Sequence, residues 1–316
     1  MSDRSKRMAT AFASASVGNV AVGFDILGFA MEAPGDRVSV EVLDEPQVEI
    51  SEISGVVTDL PMAATDNTAT VGLLEMIDDL KLDFGFRVAI EKGIPLGSGM
   101  GGSAASAVAS VVAANELLDQ ELSRNQCLRY ALIGESAATG DLHADNVTPC
   151  LFGGLTLTRS IEPVEVLRIP VPDEIRCVLA YPNRRVDTRR AREVVPDELP
   201  VSDFVAQSAN LASFITGCHR GDLELIGRSL KDVLIEPHRA SLIPGFYEVC
   251  EAARAAGALG SSISGAGPTI FAWVTAGDLE AVASAMHGAF AEAGSEATIW
   301  SGAIGEKGAR IIDEGS

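Results

Sequence analysis

The stretch PLGSGMGGSAAS, Pro95–Ser106, decides how the rest of this sequence is interpreted. Four glycines lie within positions 97–102, and a run of small residues follows them. Glycine lets the backbone approach a ligand without a Cβ clash, and the amides of such a loop face the positive end of the helix behind it. The stretch therefore predicts either a phosphate-binding loop or a glycine-rich turn that caps a buried helix.

The same loop contains the G-x-G-x-x-G pattern of dinucleotide-binding folds, but its surroundings differ. Such folds need a strand running straight into the glycines, one crossover helix, and a second strand that ends in an acidic residue. Here Pro95–Leu96 interrupts the approach, the helix leads into a second helix, and Glu116 and Asp119 lie within or at the end of the first helix. A nicotinamide-dependent enzyme is therefore disfavoured. No Lys-Ser/Thr pair closes the glycine run, which excludes a Walker A loop.

Length and composition predict a globular protein of about two domains. The chain has 316 residues, 47% of them apolar and 22% charged, with a formal net charge of −20. This excess of acid argues against nucleic-acid binding, which needs a basic face. The five cysteines are scattered, and none forms C-x-x-C, so we expect a reduced cytoplasmic protein without structural zinc. The sequence contains no apolar run long enough to span a bilayer, so we expect no membrane partner.

Hydrophobic periodicity predicts a mixture of strands and helices rather than strict βαβ units. The chain is therefore assigned to the α+β class, in two halves that meet near residue 170. Predicted strands are MATAFASAS, RVSVEVLD, FRVAIEKGIP, LFGGLTLTRS, IRCVLAYP and SEATIWSGAI, with SSISGAGPTIFAWV as strand, turn and strand. Predicted helices start at the Asp66 or Asn67 cap and cover 103–118, 124–139, two segments within 202–234 broken at 217–221, 246–256 and 279–293.

Two further glycine-containing segments add to the loop. SVGNVAVGFDILG, Ser16–Gly28, places Asn19 and Asp25 among glycines and apolar residues, where polar groups either form turns or converge on a site. SGAGPT, Ser264–Thr269, is a compact glycine turn between two predicted strands. Each segment alone is compatible with an ordinary turn.

In this order and spacing, the three segments resemble the GHMP kinases, the superfamily of galacto-, homoserine, mevalonate and phosphomevalonate kinases. LHADNVTPCLFGG, VLAYPNRRVDTRRAREVVP and LKDVLIEPHRASLIPGF are most similar to the branch that phosphorylates L-homoserine. The resemblance covers nearly the whole chain. It implies a ribosomal-S5-domain-2-like α/β domain over residues 1–170 and a ferredoxin-like α+β domain over residues 171–316. It also implies ATP as co-substrate, L-homoserine as acceptor and Mg²⁺ as the metal.

The resemblance assigns ATP binding to the loop and the start of its helix. The loop has Gly102 where serine is frequent in the family, which removes a hydroxyl group but no amide. The residues concerned are Pro95, Leu96, Gly97, Ser98, Gly99, Met100, Gly101, Gly102, Ser103, Ala104 and Ala105.

Glu135 is singled out by its position on its predicted helix. Cys127, Ala131 and Gly134 mark the packed stripe of its helix, and Glu135 lies at the edge of that stripe. An acid in this position needs a partner, and both an arginine and Mg²⁺ suit it. The resemblance makes Ser103 and Glu135 the magnesium ligands.

The substrate residues follow from the chemistry of homoserine together with the resemblance. An arginine fork matches a carboxylate, which suits Arg192 and Arg239. Asp25 lies in an apolar setting where an unpaired carboxylate is costly, so we expect it to bind the ammonium group. The other substrate-binding positions that the resemblance implies are Asn19, His143 and Gly267.

For the reaction itself, the resemblance implies that Asn146 positions the accepting hydroxyl and that Thr188 supports the reacting groups, alongside Ser103 and Glu135. We expect no strong side-chain base, with Asp145 as the alternative. The segment 186–200 is a candidate mobile element, and a homodimer is the expectation for a soluble enzyme of this size. Two other functions stay open: a GHMP kinase for mevalonate, a sugar or shikimate, and a non-catalytic sensor of ATP or an amino acid.

Overall fold

The computed structural model describes residues 7–139, 143–305 and 307–312. Its strands form two sheets, as the α+β assignment predicted. The first sheet contains β1 (Met8–Gly18), β2 (Leu27–Leu43), β3 (Val48–Gly55), β4 (Gly85–Lys92), β5 (Leu155–Ile161), β6 (Val164–Ile169) and β11 (Arg310–Ile312). The second contains β7 (Ile175–Tyr181), β8 (Gly260–Ile263), β9 (Ile270–Thr275) and β10 (Thr298–Ala303).

Ten helices accompany the sheets in the described ranges. Those of the first half are α1 (Thr68–Leu80), α2 (Gly102–Asn115), α3 (Arg124–Thr139) and α4 (Val147–Phe152). Those of the second half are α5 (Thr188–Glu193), α6 (Val201–Arg220), α7 (Leu223–Ser229), α8 (Glu236–Arg239), α9 (Phe246–Ala255) and α10 (Leu279–Glu292). None of the helices in the described part of the chain is long and apolar enough to cross a membrane.

The second sheet has the ferredoxin-like arrangement that the resemblance implied. Its order is β10-β7-β9-β8, and every neighbouring pair is antiparallel. Helices α5–α9 connect β7 to β8, and α10 connects β9 to β10. The chain therefore follows the β-α-β-β-α-β plan, with extra helices inserted in the first connection.

The first sheet runs β11-β1-β2-β4-β3, with β5 and β6 added to β2. Alternate residues of β1 face the helices, and Ala9, Ala11, Ala13 and Ala15 are buried there. Helix α2 packs on β1 and β2 and also on α1 and α3. Because its buried face is mostly alanine, α2 lies close to the sheet at the centre of the first half.

Aromatic side chains join the two sheets. Phe29 of β2 meets Trp273 and Phe271 of β9 edge-on, with ring centroids 5.6 and 5.8 Å apart. Phe214 of α6 lies against the same Trp273, at a centroid distance of 5.2 Å. The chain passes from the first sheet to the second between β6 and β7, near the predicted junction, while β11 returns to the first sheet. The division into domains 1–170 and 171–316 stays a prediction.

Several predicted element boundaries differ from those in the structure, and the largest difference is that β2 begins at Leu27 rather than Arg37. Helix α2 ends at Asn115 rather than Leu118, because the Asn115 side chain accepts from the Leu122 amide at 2.7 Å and closes a turn. The strand predicted from Leu151 begins at Leu155, since Leu151 belongs to α4. The predicted break at 217–221 is shorter and lies at Gly221 and Asp222, where Gly221 ends α6 at φ +65° and Asp222 caps α7.

Candidate active site

The glycine loop leads directly into α2. Gly97, Gly99 and Gly101 have φ values of +62°, +78° and +65°, so the backbone alternates through the left-handed region that glycine favours. Gly101 is the N-cap of α2, and no side chain caps that end. The first amides of this 14-residue helix therefore face a site with partial positive charge, which suits an anionic phosphate.

Within the predicted ATP-binding stretch, only the backbone of several residues can meet a ligand. The side chains of Met100, Ala104 and Ala105 are fully buried in the core, and that of Ser98 is nearly so. Leu96 is exposed, while Pro95, Gly102 and Ser103 are partly exposed. The loop thus presents amides and the Ser103 hydroxyl rather than a row of side chains.

The three glycine-containing segments meet at this loop. The Ser16 amide donates to the Met100 carbonyl at 3.1 Å. From the SGAGPT turn, the Ser264 hydroxyl donates to the Gly99 carbonyl at 2.7 Å, and the Thr269 amide donates to the Ser98 carbonyl at 3.2 Å. Residues that are far apart in sequence therefore form one continuous wall.

Ser103 and Glu135 are in contact. The Ser103 hydroxyl donates to Glu135 Oε1 at 2.9 Å, while the buried Glu135 Oε2 has no hydrogen-bond partner. Burial raises the pKa of the Glu135 carboxyl to about 7, partly opposed by the Ser103 hydrogen bond. A buried carboxylate oxygen without a partner fits a cation ligand. Within the described residues no group of three or more His, Cys, Asp or Glu could hold a metal ion, so a metal here would depend on these two oxygens and on phosphates.

Lys92 and Asp36 lie beneath the loop, and neither was predicted from the sequence as a site residue. Lys92 Nζ donates to the Asp36 carboxylate, to the Gly102 carbonyl at 2.7 Å and to Ser106 Oγ at 2.8 Å. Asp36 also accepts from the Gly93 and Ile94 amides, at 3.0 and 3.1 Å. The pair is buried and holds the start of α2 against β2 and β4. A lysine in the apolar approach IEKGIP is the signal that could have revealed it.

The predicted carboxylate and ammonium partners of the substrate are paired with each other. Arg192 Nη1 donates to Asp25 Oδ2 at 2.8 Å, and Arg192 Nη2 lies 2.9 Å from His143 Nε2. The Arg192 and Arg239 guanidinium groups lie over the Phe24 ring, at 4.9 and 5.1 Å from its centroid. These contacts therefore bring five side chains of opposite and complementary character into one cluster.

Arg239 is buried and held by backbone carbonyls. Its Nε donates to Ala191 O at 2.8 Å and its Nη1 to Gly265 O at 3.2 Å. Burial lowers the pKa of the Arg239 guanidinium, with the nearby Arg192 charge acting in the same direction. An added anion at this place would offset that cost.

Asn19 ties the amino-terminal motif to the SGAGPT turn. Its Nδ2 donates to Gly265 O at 2.9 Å, and its Oδ1 accepts from the Asp25 amide at 2.9 Å. Gly265 O thus accepts hydrogen bonds from both Asn19 and Arg239. Gly267 instead lies against Ile243 and Gly99. Of the two glycines, Gly265 is the one beside the predicted substrate residues.

Asn146 lies against the glycine loop. Its Oδ1 accepts from Ser16 Oγ at 2.9 Å, and a Cβ added to Gly101 would come within 3.0 Å of the same oxygen. The neighbouring Asp145 is only 4% exposed, and burial, reinforced by the charge of Asp25, raises the pKa of its carboxyl to about 7. Thr188 is exposed as the first residue of α5, next to its Asp187 N-cap.

Comparison with known proteins gives the class first. The model of the GHMP kinases N terminal domain matches residues 67–154, and that of the GHMP kinases C terminal domain matches residues 214–292. These two matches include the loop, Glu135 and the SGAGPT turn. The fold is that of a GHMP kinase, the class that the three motifs predicted.

Relatives that match over nearly the full length show which family within the GHMP kinases this chain resembles. The chain is 49% identical over 305 residues to a homoserine kinase of Xylella fastidiosa, covering 96% of this chain and 94% of the relative. It is 47% identical to a homoserine kinase of Xanthomonas campestris, with 98% and 95% covered. A crystal structure of homoserine kinase from Cytophaga hutchinsonii superposes with a TM-score of 0.94 at 40% identity, covering 98% of each chain. The chain belongs to the homoserine kinase family.

Proposed function

We propose that this protein transfers the γ-phosphoryl group of ATP to the γ-hydroxyl of L-homoserine, giving O-phospho-L-homoserine and ADP in threonine biosynthesis. One observation carries the proposal. Asn146 lies against the phosphate-type loop, while Asn19 and Arg239 meet at Gly265 of the turn that contacts the same loop. The proposed amino-acid site and the proposed phosphate site are therefore adjacent. An amino-acid kinase needs this arrangement, because the acceptor hydroxyl has to lie next to the phosphate that is transferred. The relatives named homoserine kinase support this choice of acceptor.

The loop supplies most of what phosphoryl transfer asks of a protein. This reaction depends on positioning and on stabilising charge over the phosphate oxygens. The amides at the start of α2 and the alternating glycines provide fixed donors, and Lys92 holds the Gly102 carbonyl beneath them. Because these donors belong to the backbone, they need no reorganisation when charge develops.

Mg²⁺ fits the Ser103–Glu135 contact, because Glu135 Oε2 is buried and unpartnered. These two residues would hold the ion, together with nucleotide phosphates. When bound, Mg²⁺ neutralises phosphate charge. The Ser103 hydroxyl keeps the Glu135 carboxylate oriented toward the loop.

Asp25 and Arg192 are paired with each other in this structure, so homoserine has to replace that ion pair when it binds. Its ammonium group would take over Asp25, and its carboxylate would be bound by Arg192 and Arg239. The Asp25–Arg192 pair keeps both charges compensated in the absence of substrate. Phe24 provides the face on which both guanidinium groups rest.

Asn146 orients the accepting hydroxyl in this proposal, and no side chain acts as a strong base. Asp145 remains the competing candidate because its carboxyl, with a pKa near 7, could exchange a proton in the working range. A pH-dependent limb in kcat that disappears in Asp145→Asn, with folding intact, would establish Asp145 as the base.

The test is phosphorylation of an acceptor panel of L-homoserine, mevalonate, galactose and shikimate, with Mg-ATP. Homoserine should be preferred. In Arg239→Ala the KM for homoserine should rise by about tenfold or more, because the buried carboxylate partner is lost, while the KM for ATP changes little. Arg190→Ala is the matched control, since Arg190 is an exposed arginine of α5.

Other results would redirect the assignment. Preference for mevalonate or a sugar would indicate a different GHMP kinase activity. Nucleotide binding without turnover of any acceptor would indicate a sensor. The proposal also includes a cytoplasmic location, supported by five buried free thiols, and a homodimer, which light scattering would measure.

A further inference from the structure

Gln207 of α6 is a buried amide that bridges two backbone segments. It is only 7% exposed. Its Nε2 donates to Ala21 O at 3.2 Å, and its Oε1 accepts from the Val233 amide at 3.0 Å. A carbonyl can only accept and a backbone amide can only donate, so these partners fix the orientation of the side-chain amide.

The Ala21 end lies in the segment 19–25, which also carries Asp25 and is called here the Asp25 wall. Asn19, Val20 and Ala21 have φ values of +69°, +47° and +58°, a left-handed run that is costly for residues other than glycine. Such a conformation persists only where its surroundings hold it in place. Two side-chain hydrogen bonds stabilise this conformation: Gln207 Nε2 donates to Ala21 O, and Asn19 Nδ2 donates to Gly265 O.

The Val233 end lies in the segment 232–239, which also carries Arg239 and is called here the Arg239 wall. Directly before Val233, the Asp232 carboxylate accepts from the amides of Leu234, Ile235 and Glu236 at 2.8–3.0 Å. This turn leads into α8, whose last residue is Arg239. The position of Val233 therefore sets where α8 begins.

We propose that Gln207 is a positioning residue that fixes the separation between the Asp25 wall and the Arg239 wall. An α-amino acid places its ammonium and carboxylate groups at a set spacing, and the two walls must match that spacing. Gln207 thereby contributes to selection of an amino-acid acceptor without touching it. This inference rests on the proposed function.

The test replaces Gln207 by Met, which has similar length but makes neither hydrogen bond. The KM for homoserine should rise by about tenfold, as for loss of a buried polar link, and the KM for ATP should stay within about twofold. The inhibition constant of γ-hydroxybutyrate, which lacks the ammonium group and needs only the Arg239 wall, should change by less than that of homoserine. A general loosening of the fold would weaken both ligands equally.

A second variant keeps the test decisive if Gln207→Met does not fold. In Gln207→Glu the carboxylate can accept from Val233 but cannot donate to Ala21 O, whereas the protonated acid can do both. Its KM for homoserine, relative to wild type at each pH, should therefore fall as the pH is lowered. Thr216→Val is the matched control, because the partly exposed Thr216 hydroxyl donates to Ala212 O within the same helix and reaches neither wall.

The outcomes separate the inference from the function. A wild type that fails to phosphorylate homoserine overturns the function. A wild type that phosphorylates homoserine, with Gln207 variants that keep its KM, or that weaken homoserine, γ-hydroxybutyrate and ATP alike, overturns the positioning role alone.

Discussion

Asp145 carries an unfavourable charge in the folded protein. Its carboxyl has a pKa of about 7 instead of the ordinary 3.8, because burial removes the water that would solvate the ionised form. Between these two values the folded state holds a proton that the unfolded state has released. The free energy of unfolding therefore falls as the pH rises through this window, and it stays lowered above it.

Asp145→Asn should remove this share of the pH dependence. The free energy of unfolding of the variant, relative to that of wild type, should be higher at about pH 8 than at about pH 5 by up to about 3 kcal/mol, because about two pH units of the window lie above pH 5. Denaturant unfolding at both pH values measures the difference. Equal unfolding curves for the two proteins at the higher pH would show that the carboxyl titrates normally.

At this scale the sequence revealed those residues that lie in motifs, because the motif fixes their neighbours. Ser103 and Glu135 were predicted as ligands of the same magnesium ion, and they lie in contact. Lys92, Asp36 and Gln207 were not found, because each acts through hydrogen bonds to segments far away in the sequence. Only the three-dimensional fold brings such groups together.

Among the elements, the glycine loop has little freedom to change. A Cβ at Gly99 would lie 2.5 Å from Ser264 O and 2.6 Å from Gly267 O, at a φ of +78°. Gly99→Ala should therefore force the loop away from the SGAGPT turn. Its affinity for ADP, measured by calorimetry, should fall by about tenfold or more, equivalent to at least about 1.4 kcal/mol.

Gly102→Ser is the control for this prediction. Position 102 has an ordinary φ, and its nearest side-chain neighbour is Ile94 Cγ2, at 3.2 Å from the added Cβ. Its ADP affinity should stay within about twofold of wild type. If Gly99→Ala bound ADP as well as Gly102→Ser, the packing of the turn against the loop would not matter for the nucleotide site.

Elements with a clear period were predicted, and short or irregular ones were not. The predicted helix 124–139 agrees with α3, whose apolar stripe is marked by Cys127 and Ala131. Strands β3, β6 and β11 were missed, since each is short or half exposed and depends on a neighbouring strand for its hydrogen bonds. Helix α4 was missed because its six residues are too few for a helical period to show.

For the whole molecule, the segment 309–312 is a structural part of the first half. Strand β11 pairs with β1 in antiparallel register, as at Phe12 with Arg310. The Ala309 amide donates to Cys150 O at 2.8 Å, and Arg124 Nη2 donates to Ala309 O at 3.1 Å. A chain ended after Ala303 should melt about 5 °C or more below wild type, because these hydrogen bonds are lost.

A chain ended after Ile312 is the matched control, because it keeps β11. Its melting temperature, followed by circular dichroism, should stay close to that of the full chain. Equal melting of the two shortened chains would mean that β11 adds nothing to the first sheet.

The pairing of β11 with β1 has a consequence for protein synthesis. The ribosome makes β1 early, yet among the described strands β11 emerges after all the others. The nascent amino-terminal half therefore waits with one sheet edge open, while the turn that supports the nucleotide loop is also still to be translated. Competence to bind ATP should therefore appear only after the SGAGPT turn has been translated, and until β11 follows, the open strand edge can be bound by chaperones that shield such edges.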